Sequence, residues 1–115
     1  MFKRSLFLGI ALAMTVGSSV AADDPVFEFD WLAIFRTANK FCVGQNFSAE
    51  GIDLRMKQIG RRLGWSPQKL ADETLSREIT TEIDLRVSQT AFCNTARMGR
   101  RQYGDDYLRR VGVIY

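Results

Sequence analysis

Ser48-Ala-Glu-Gly-Ile-Asp-Leu-Arg-Met-Lys-Gln-Ile-Gly-Arg-Arg-Leu-Gly-Trp-Ser-Pro67 contains the start, the apolar face and the end of one helix. Ser48 is a good N-cap, because its hydroxyl can accept a hydrogen bond from a backbone N–H of the first turn. Four apolar side chains then recur at steps of four, three and four residues, namely Ile52, Met56, Ile59 and Leu63. This spacing predicts an amphipathic helix that ends at Gly64, where glycine tolerates a left-handed backbone.

Similar signals predict helices on both sides of this one. Asp30 is expected to cap a first helix over residues 30–44, and Ser66-Pro67 starts a third helical stretch that reaches Ser76. A fourth stretch over residues 77–100 follows, and weak helix propensity at Thr80-Thr81 allows a break near residues 76–78. Beyond Gly104, Asp105 or Asp106 can cap a short last helix to Arg110, before an apolar tail that should dock on the core or on a partner.

The apolar side chains of the third and fourth stretches are expected to face the core. In the third stretch these are Leu70, Ala71 and Leu75. In the fourth stretch they are Ile79, Ile83, Val87, Ala91 and Phe92. Both sets recur at helical spacing, which is why we assign them to the buried side.

Residues 1–22 have the three parts of a cleaved secretory signal peptide. A cationic start precedes an apolar run from Leu6 to Val16, and small residues follow up to Ala22. The run is shorter than the roughly 20 residues of a membrane span, although an uncleaved N-terminal anchor is the alternative. With cleavage near Ala22, residues 23–115 form a single helical domain that is periplasmic or secreted, and the short cationic region resembles bacterial signals.

Cys42 and Cys93 are the only cysteines of the chain. An even number of cysteines in an exported protein predicts a disulfide, and free or intermolecular thiols are the alternative. A redox site is disfavoured, because there is no Cys-x-x-Cys motif and no histidine to lower a thiol pKa. We therefore predict an all-α fold, a small bundle of four to five helices clamped by one disulfide.

The formal charge of +3 shrinks once the signal peptide is removed. Lys3 and Arg4 leave with that peptide, so residues 23–115 carry 14 basic and 13 acidic side chains. The remaining positive charge lies in residues 94–115, which hold five arginines against two aspartates. An arginine-tyrosine surface that binds a partner is predicted from Arg97, Arg100, Arg101, Tyr103, Tyr107, Arg109 and Arg110. The alternative is a solvated helix end, whose arginines complement the helix dipole.

Nucleic acid is not expected as a partner. Residues 59–71 resemble the opening of helix-turn-helix repressors through Gln68-Lys-Leu-Ala71, but no glycine turn follows before Arg77. Residues 66–86 carry three basic and five acidic side chains, whereas a helix that reads a DNA groove must be positively charged. Export would also remove the protein from cytoplasmic DNA.

Catalysis has no visible basis in the sequence. The chain has no histidine, which excludes a Ser-His-Asp triad, a Cys-His pair and an imidazole ligand for zinc. We therefore predict a protein that is not an enzyme and needs no cofactor or metal.

The expected function is binding to another envelope protein or to an anionic envelope component. In size, helix content and cysteine spacing, the mature chain resembles small periplasmic helical proteins with one disulfide. These include acid-stress chaperones and immunity proteins against secreted toxins. An acid- or stress-responsive chaperone and a toxin inhibitor are therefore the alternative functions, and no shared motif assigns a residue to either.

Overall fold

The computed structural model describes residues 24–115, and these form five helices. The helices are α1 (Pro25–Phe41), α2 (Ala49–Arg62), α3 (Pro67–Val87), α4 (Gln89–Tyr103) and α5 (Asp105–Arg110). Cys42 and Cys93 are joined by a disulfide, so the predicted all-α bundle with one disulfide is confirmed. The predicted signal peptide lies outside the described residues and stays a prediction. None of the five helices is long and apolar enough to cross a membrane.

Helix α1 is the centre of the fold, because α2, α3 and α4 all pack against it. It begins earlier than predicted, since Asp24 and not Asp30 is the N-cap. The Asp24 carboxylate accepts hydrogen bonds from the backbone N–H groups of Val26 and Phe27, both at 3.1 Å. Pro25 occupies the first turn, where its missing N–H costs nothing. Asp30 instead lies on the surface and pairs with Arg77 at 2.5 Å.

Helix α2 has the start and the end that the sequence predicts. The Ser48 hydroxyl accepts a hydrogen bond from the Gly51 N–H at 3.0 Å, and Gly64 has a φ of +74° just beyond the helix. The side chains of Ile52, Met56 and Ile59 are buried in the core.

The helical run is interrupted at Ser88, between α3 and α4, and not near residues 76–78, where the weak helix propensity allowed a break. Ser88 has an extended backbone, and its hydroxyl accepts a hydrogen bond from the Ala91 N–H at 3.2 Å. The helix continues through Thr80-Thr81 because tertiary contacts offset their weak helix propensity. Thr81 is buried, and its hydroxyl lies 2.7 Å from that of Thr37 on α1.

The face of α3 that contacts α1 also differs from the prediction. Leu75, Ile79, Ile83 and Val87 are 55%, 53%, 53% and 81% exposed, and Ala71 and Ala91 are exposed as well. The predicted burial of these six residues is therefore wrong, whereas Phe92 is buried and Leu70 packs partly against the core. We call Leu75, Ile79, Ile83 and Val87 the α3 ridge.

Polar side chains that find partners occupy the inner face of α3. Arg77 stacks over the Phe29 ring with its guanidinium carbon 4.8 Å from the ring centroid, and it pairs with Asp30 and Glu73. Thr81 bonds Thr37, as described above. These satisfied polar groups explain how α3 can pack on α1 while its apolar ridge faces outward.

The C-terminal tail docks on the core, as expected. Val113 and Ile114 are buried, and the Ser48 N–H donates to the Val113 carbonyl at 2.8 Å. Helix α5 starts after Gly104, whose φ is +87°, and no side chain caps it, so the expected cap from Asp105 or Asp106 is wrong.

A close helix contact sets the position of α4 against α1. A Cβ atom on Gly99 would lie only 2.3 Å from the Trp31 ring, so glycine is required at this crossing. The disulfide fixes the same two helices near the other end of α1.

We expect the double variant Cys42→Ala/Cys93→Ala to lose about 4 kcal/mol of unfolding free energy, because the bond closes a long loop in the unfolded chain. The sequence separation of the two cysteines is 51. Urea unfolding of the variant, compared with that of the oxidised wild type, measures this loss. The reduced wild type should match the variant, and a loss below about 1 kcal/mol would contradict the expected effect.

Candidate functional site

The structure divides the seven predicted binding residues among three settings. Arg97, Arg100 and Arg101 line one side of a cleft of about 230 Å³, which we call the arginine cleft. Its other side is the loop after α1, formed by Gly44, Gln45 and Asn46. The cleft is the one place where the structure brings several of the predicted arginines together around a cavity, within the part of the chain described.

Arg100 supports the fold as well as lining the cleft. Its Nε donates to the Asp105 carboxylate at 3.2 Å, and its Nη1 donates to the Gln45 carbonyl. The guanidinium carbon also lies 5.4 Å from the centroid of the Phe47 ring. Arg100 therefore joins α4 to the loop after α1 and to the start of α5.

Arg97 and Arg101 are exposed, as a binding surface requires. Arg97 Nη1 donates to the Asn94 side chain on the same helix at 2.7 Å. No ion pair of Arg97 or Arg101 is found within residues 24–115, so both positive charges remain uncompensated by nearby carboxylates of that part of the chain.

Tyr103 and Tyr107 form the second setting, because both turn inward. Their rings are stacked with centroids 5.7 Å apart. The Tyr107 hydroxyl donates to Glu28 at 2.6 Å and accepts from Arg55 at 3.2 Å. Arg55 in turn donates to both Glu28 carboxylate oxygens, at 2.6 and 3.2 Å. We call Glu28, Arg55 and Tyr107 the Glu28 network, and it ties α1, α2 and α5 together.

The Glu28 network buries charge in a compensated form. Glu28 is 3% exposed, a degree of burial that a carboxylate tolerates only with strong partners. Hydrogen bonding to Glu28 raises the pKa of Arg55, and burial followed by the bond to Glu28 raises the pKa of Tyr107. Both side chains therefore keep their protons while they donate to the carboxylate.

The Tyr103 hydroxyl has a different environment. It is buried without a hydrogen-bond partner within residues 24–115. Burial raises the pKa of this phenol strongly, and the nearby charge of Glu28 adds to the effect. The two tyrosines are thus stacked neighbours of which one is bonded and the other is not.

Arg109 and Arg110 form the third setting, beyond the Gly104 turn. Arg109 Nε donates to the main-chain oxygen of Tyr115 at 3.1 Å, and its Nη1 lies 3.9 Å from the Asp106 carboxylate. Arg110 lies over the Tyr107 ring, with 5.5 Å between its guanidinium carbon and the ring centroid. Both arginines are exposed, and neither lines the arginine cleft.

A larger concavity, which the sequence analysis missed, separates α2 from α3. These two helices each pack on α1 but hardly on each other, and they leave an open groove of about 750 Å³. We call it the α2–α3 groove. Its apolar lining includes Met56, Trp65, Pro67, Leu70, Ala71 and Leu75. The sequence analysis assigned the α3 ridge to the core and therefore did not predict this groove.

The rims of the α2–α3 groove carry opposite charges. Lys57 and Arg61 line it from α2, and Glu78 lines it from α3. Arg36 and Asp53, which also line it, pair with each other at 3.3 Å. Leu75 lies in the groove lining, so the α3 ridge extends the apolar surface along α3.

Comparison with protein families, with curated proteins and with solved structures finds no match to this chain. Within residues 24–115, no group of three or more histidine, cysteine, aspartate or glutamate side chains is placed to hold a metal ion.

We expect Tyr103→Phe and Tyr107→Phe to have unequal effects, although each keeps its ring and the stacking. Tyr107→Phe removes a hydrogen bond to a buried charge and should cost roughly 1.5–3 kcal/mol of unfolding free energy at pH 7. Tyr103→Phe removes a buried hydroxyl without a partner, so its effect should lie between zero and a gain of about 1 kcal/mol. Chemical unfolding of both variants measures the difference, and equal losses would contradict it.

The same pair of variants tests the behaviour at high pH. Because the folded state raises the pKa of both phenols, the unfolded chain ionises first and stability should fall as the pH rises above about 10. Tyr103→Phe should lose less stability than the wild type between pH 9 and about pH 11, and an identical loss in the two proteins would argue against a buried phenol.

Proposed function

We propose that this protein is an exported, non-enzymatic binding protein that holds a segment of another envelope protein in the α2–α3 groove. The supporting observation is the groove itself, whose volume of about 750 Å³ lies within the range of about 300–1,000 Å³ found for ligand sites. Its lining is mostly apolar with a few charged side chains at the rims, which is the usual composition of a binding site.

The segment that best suits this surface is an amphipathic helix. The α3 ridge has one apolar side chain every four residues from Leu75 to Val87, a rise of about 18 Å. Rows at steps of four interdigitate with those of a second helix that crosses at about −50°. All four side chains are more than half exposed, and groups of exposed apolar side chains are typical of protein interaction sites.

The rim charges indicate which helix the groove would accept. A partner should present acidic side chains toward Lys57 and Arg61 and basic side chains toward Glu78. The α3 helix of a second copy offers Glu78 and Glu82 to Lys57 and Arg61, but it would also bring these carboxylates close to Glu78 on the opposite rim, where a basic side chain is needed. We therefore favour a different protein as the partner.

The C-terminal arginines supply a second basis for the proposal. Arg97, Arg101, Arg109 and Arg110 are exposed, and they would attract an acidic partner or an anionic component of the envelope. Charges that lie outside an apolar binding site mainly raise the association rate. The α2–α3 groove would supply most of the affinity.

A photo-crosslinking amino acid at Ala71 should give a discrete crosslinked product in cells that make the protein. Ala71 lines the groove and is exposed, so the probe would touch a bound segment without disturbing the core. Gln102 on α4 is exposed outside the groove and serves as the control position, where no such product is expected. Product mass on a denaturing gel provides the measurement.

Leu75→Ser/Ile79→Ser should remove the Ala71 product while leaving the melting temperature nearly unchanged, because both side chains are already more than half exposed. A product that survives these substitutions, or one that appears equally from Gln102, would refute binding in the groove.

An acid-responsive chaperone is the second candidate, and the Glu28 network favours it. Loss of the Glu28 charge would leave the charge of Arg55 without its partner in a partly buried site that joins three helices. Acid could thereby loosen α2 and α5 from α1 and add new apolar surface to the α3 ridge.

Glu28→Gln removes this charge at neutral pH. It should lower the unfolding free energy by roughly 3 kcal/mol and should prevent aggregation of an unfolded client at pH 7. The wild type should do so only near pH 3, because the ordinary pKa values of carboxylates lie near 4. Light scattering of the client measures this activity, and Glu50→Gln, at an exposed site in the first turn of α2, is the control. A Glu28→Gln protein without such activity would exclude this trigger.

A further inference from the structure

The arginine cleft has the size of a site for one small chemical group. Its volume of about 230 Å³ is below the 300–1,000 Å³ range of sites that enclose drug-sized molecules. It is lined by guanidinium groups on the α4 side and by the loop from Gly44 to Asn46 on the other. Size and lining together favour a compact, charged ligand.

The charge balance of the cleft is positive. Arg97, Arg100 and Arg101 bring three positive charges, and within residues 24–115 only Arg100 is paired, with Asp105 at 3.2 Å. The C-terminal end of α4 contributes a partial negative charge of about one half, which is smaller than the remaining positive charge. Binding of an anion in the arginine cleft would therefore be electrostatically favourable.

Arg100 is held in position with donors to spare. A guanidinium has five N–H donors, and Arg100 uses two of them, toward Asp105 and the Gln45 carbonyl. The Phe47 ring fixes its plane from one side. Three donors thus remain on a side chain that the fold already holds in one conformation. Binding a ligand would therefore cost little further side-chain entropy.

Gln45 brings a neutral donor to the cleft. It lines the cleft and is only 3% exposed, while its side-chain amide makes no hydrogen bond within residues 24–115 and is not fully shielded from solvent. The amide is therefore free to donate. An acceptor seated in the cleft could pair with the NH₂ group of this amide.

We infer that the arginine cleft binds an oxyanion, and specifically a phosphate group. Guanidinium groups match the oxygens of phosphate through paired, charge-assisted hydrogen bonds, and an amide NH₂ can donate to a third oxygen. This inference does not depend on the α2–α3 groove, because the two sites share no lining residue.

Titration of the exported protein with inorganic phosphate at low ionic strength, followed by calorimetry, tests the inference. Arg97→Gln/Arg101→Gln should weaken binding at least about tenfold, because each arginine lost removes charge-assisted hydrogen bonds. Arg109→Gln/Arg110→Gln removes the same charge from outside the cleft and should change the affinity less than about threefold. Arg100 is kept in all variants because it supports the loop.

A neutral substitution separates a built site from general attraction. Gln45→Met keeps the net charge and the approximate size of the side chain, and it should also weaken phosphate binding if the amide donates to the anion. Thermal unfolding of each variant checks that the fold is retained. The inference fails if no saturable binding occurs, or if the Arg109/Arg110 variant loses as much affinity as the Arg97/Arg101 variant.

Two further titrations identify the source of the phosphate. Vesicles of phosphatidylglycerol present it as a lipid headgroup, and phosphatidylcholine vesicles are the neutral control. Vesicle binding that phosphate displaces and Arg97→Gln/Arg101→Gln abolishes supports a headgroup, whereas phosphate binding without vesicle binding supports a free anion. Acetate that binds as tightly as phosphate would overturn the assignment to phosphate.

Discussion

The burial of α1 on several sides is the constraint on which the other helices depend. Phe29, Leu32, Phe35 and Ala38 on this helix are at most 1% exposed, and they meet neighbours on different sides of it. Each large side chain among them contributes about 1.5–3 kcal/mol when it leaves water. Helices α2 and α3 each cover part of α1, so they need little contact with each other. The open space between α2 and α3 follows directly from this arrangement.

Local signals explain why α2 was predicted well and α3 was not. Ser48 and Gly64 act within their own segment, so their effect can be read from adjacent residues. The orientation of α3 depends instead on Thr37 and Phe29, which belong to another helix. Sequence periodicity alone cannot show that Thr81 and Arg77 have partners there. It assigned the apolar row to the core, and the α2–α3 groove was missed for this reason.

The angular positions of the side chains around the helix axis predict the buried face of α3 better than the apolar row does. A row at steps of four advances by about 40° per step, so the α3 ridge turns through about 120° from Leu75 to Val87. A row at steps of four, three, four and four from Leu70 through Thr74, Arg77, Thr81 and Leu85 stays within about 80° and can face a straight neighbour. The residues of the predicted arginine-tyrosine surface lie in three separate settings for a similar reason. Composition alone does not show that Tyr107 donates a hydrogen bond to Glu28.

The Cys42–Cys93 bond also bears on the order of events in the life of the chain. A disulfide forms in an oxidising compartment, so on the proposed route of export the newly made chain lacks this bond until it has crossed the membrane. Its stability before the crossing would be lower by about 4 kcal/mol, a large part of the total for a small domain. A marginally folded precursor is easier to thread through a translocation channel, and oxidation on the far side would then stabilise the folded domain by this amount.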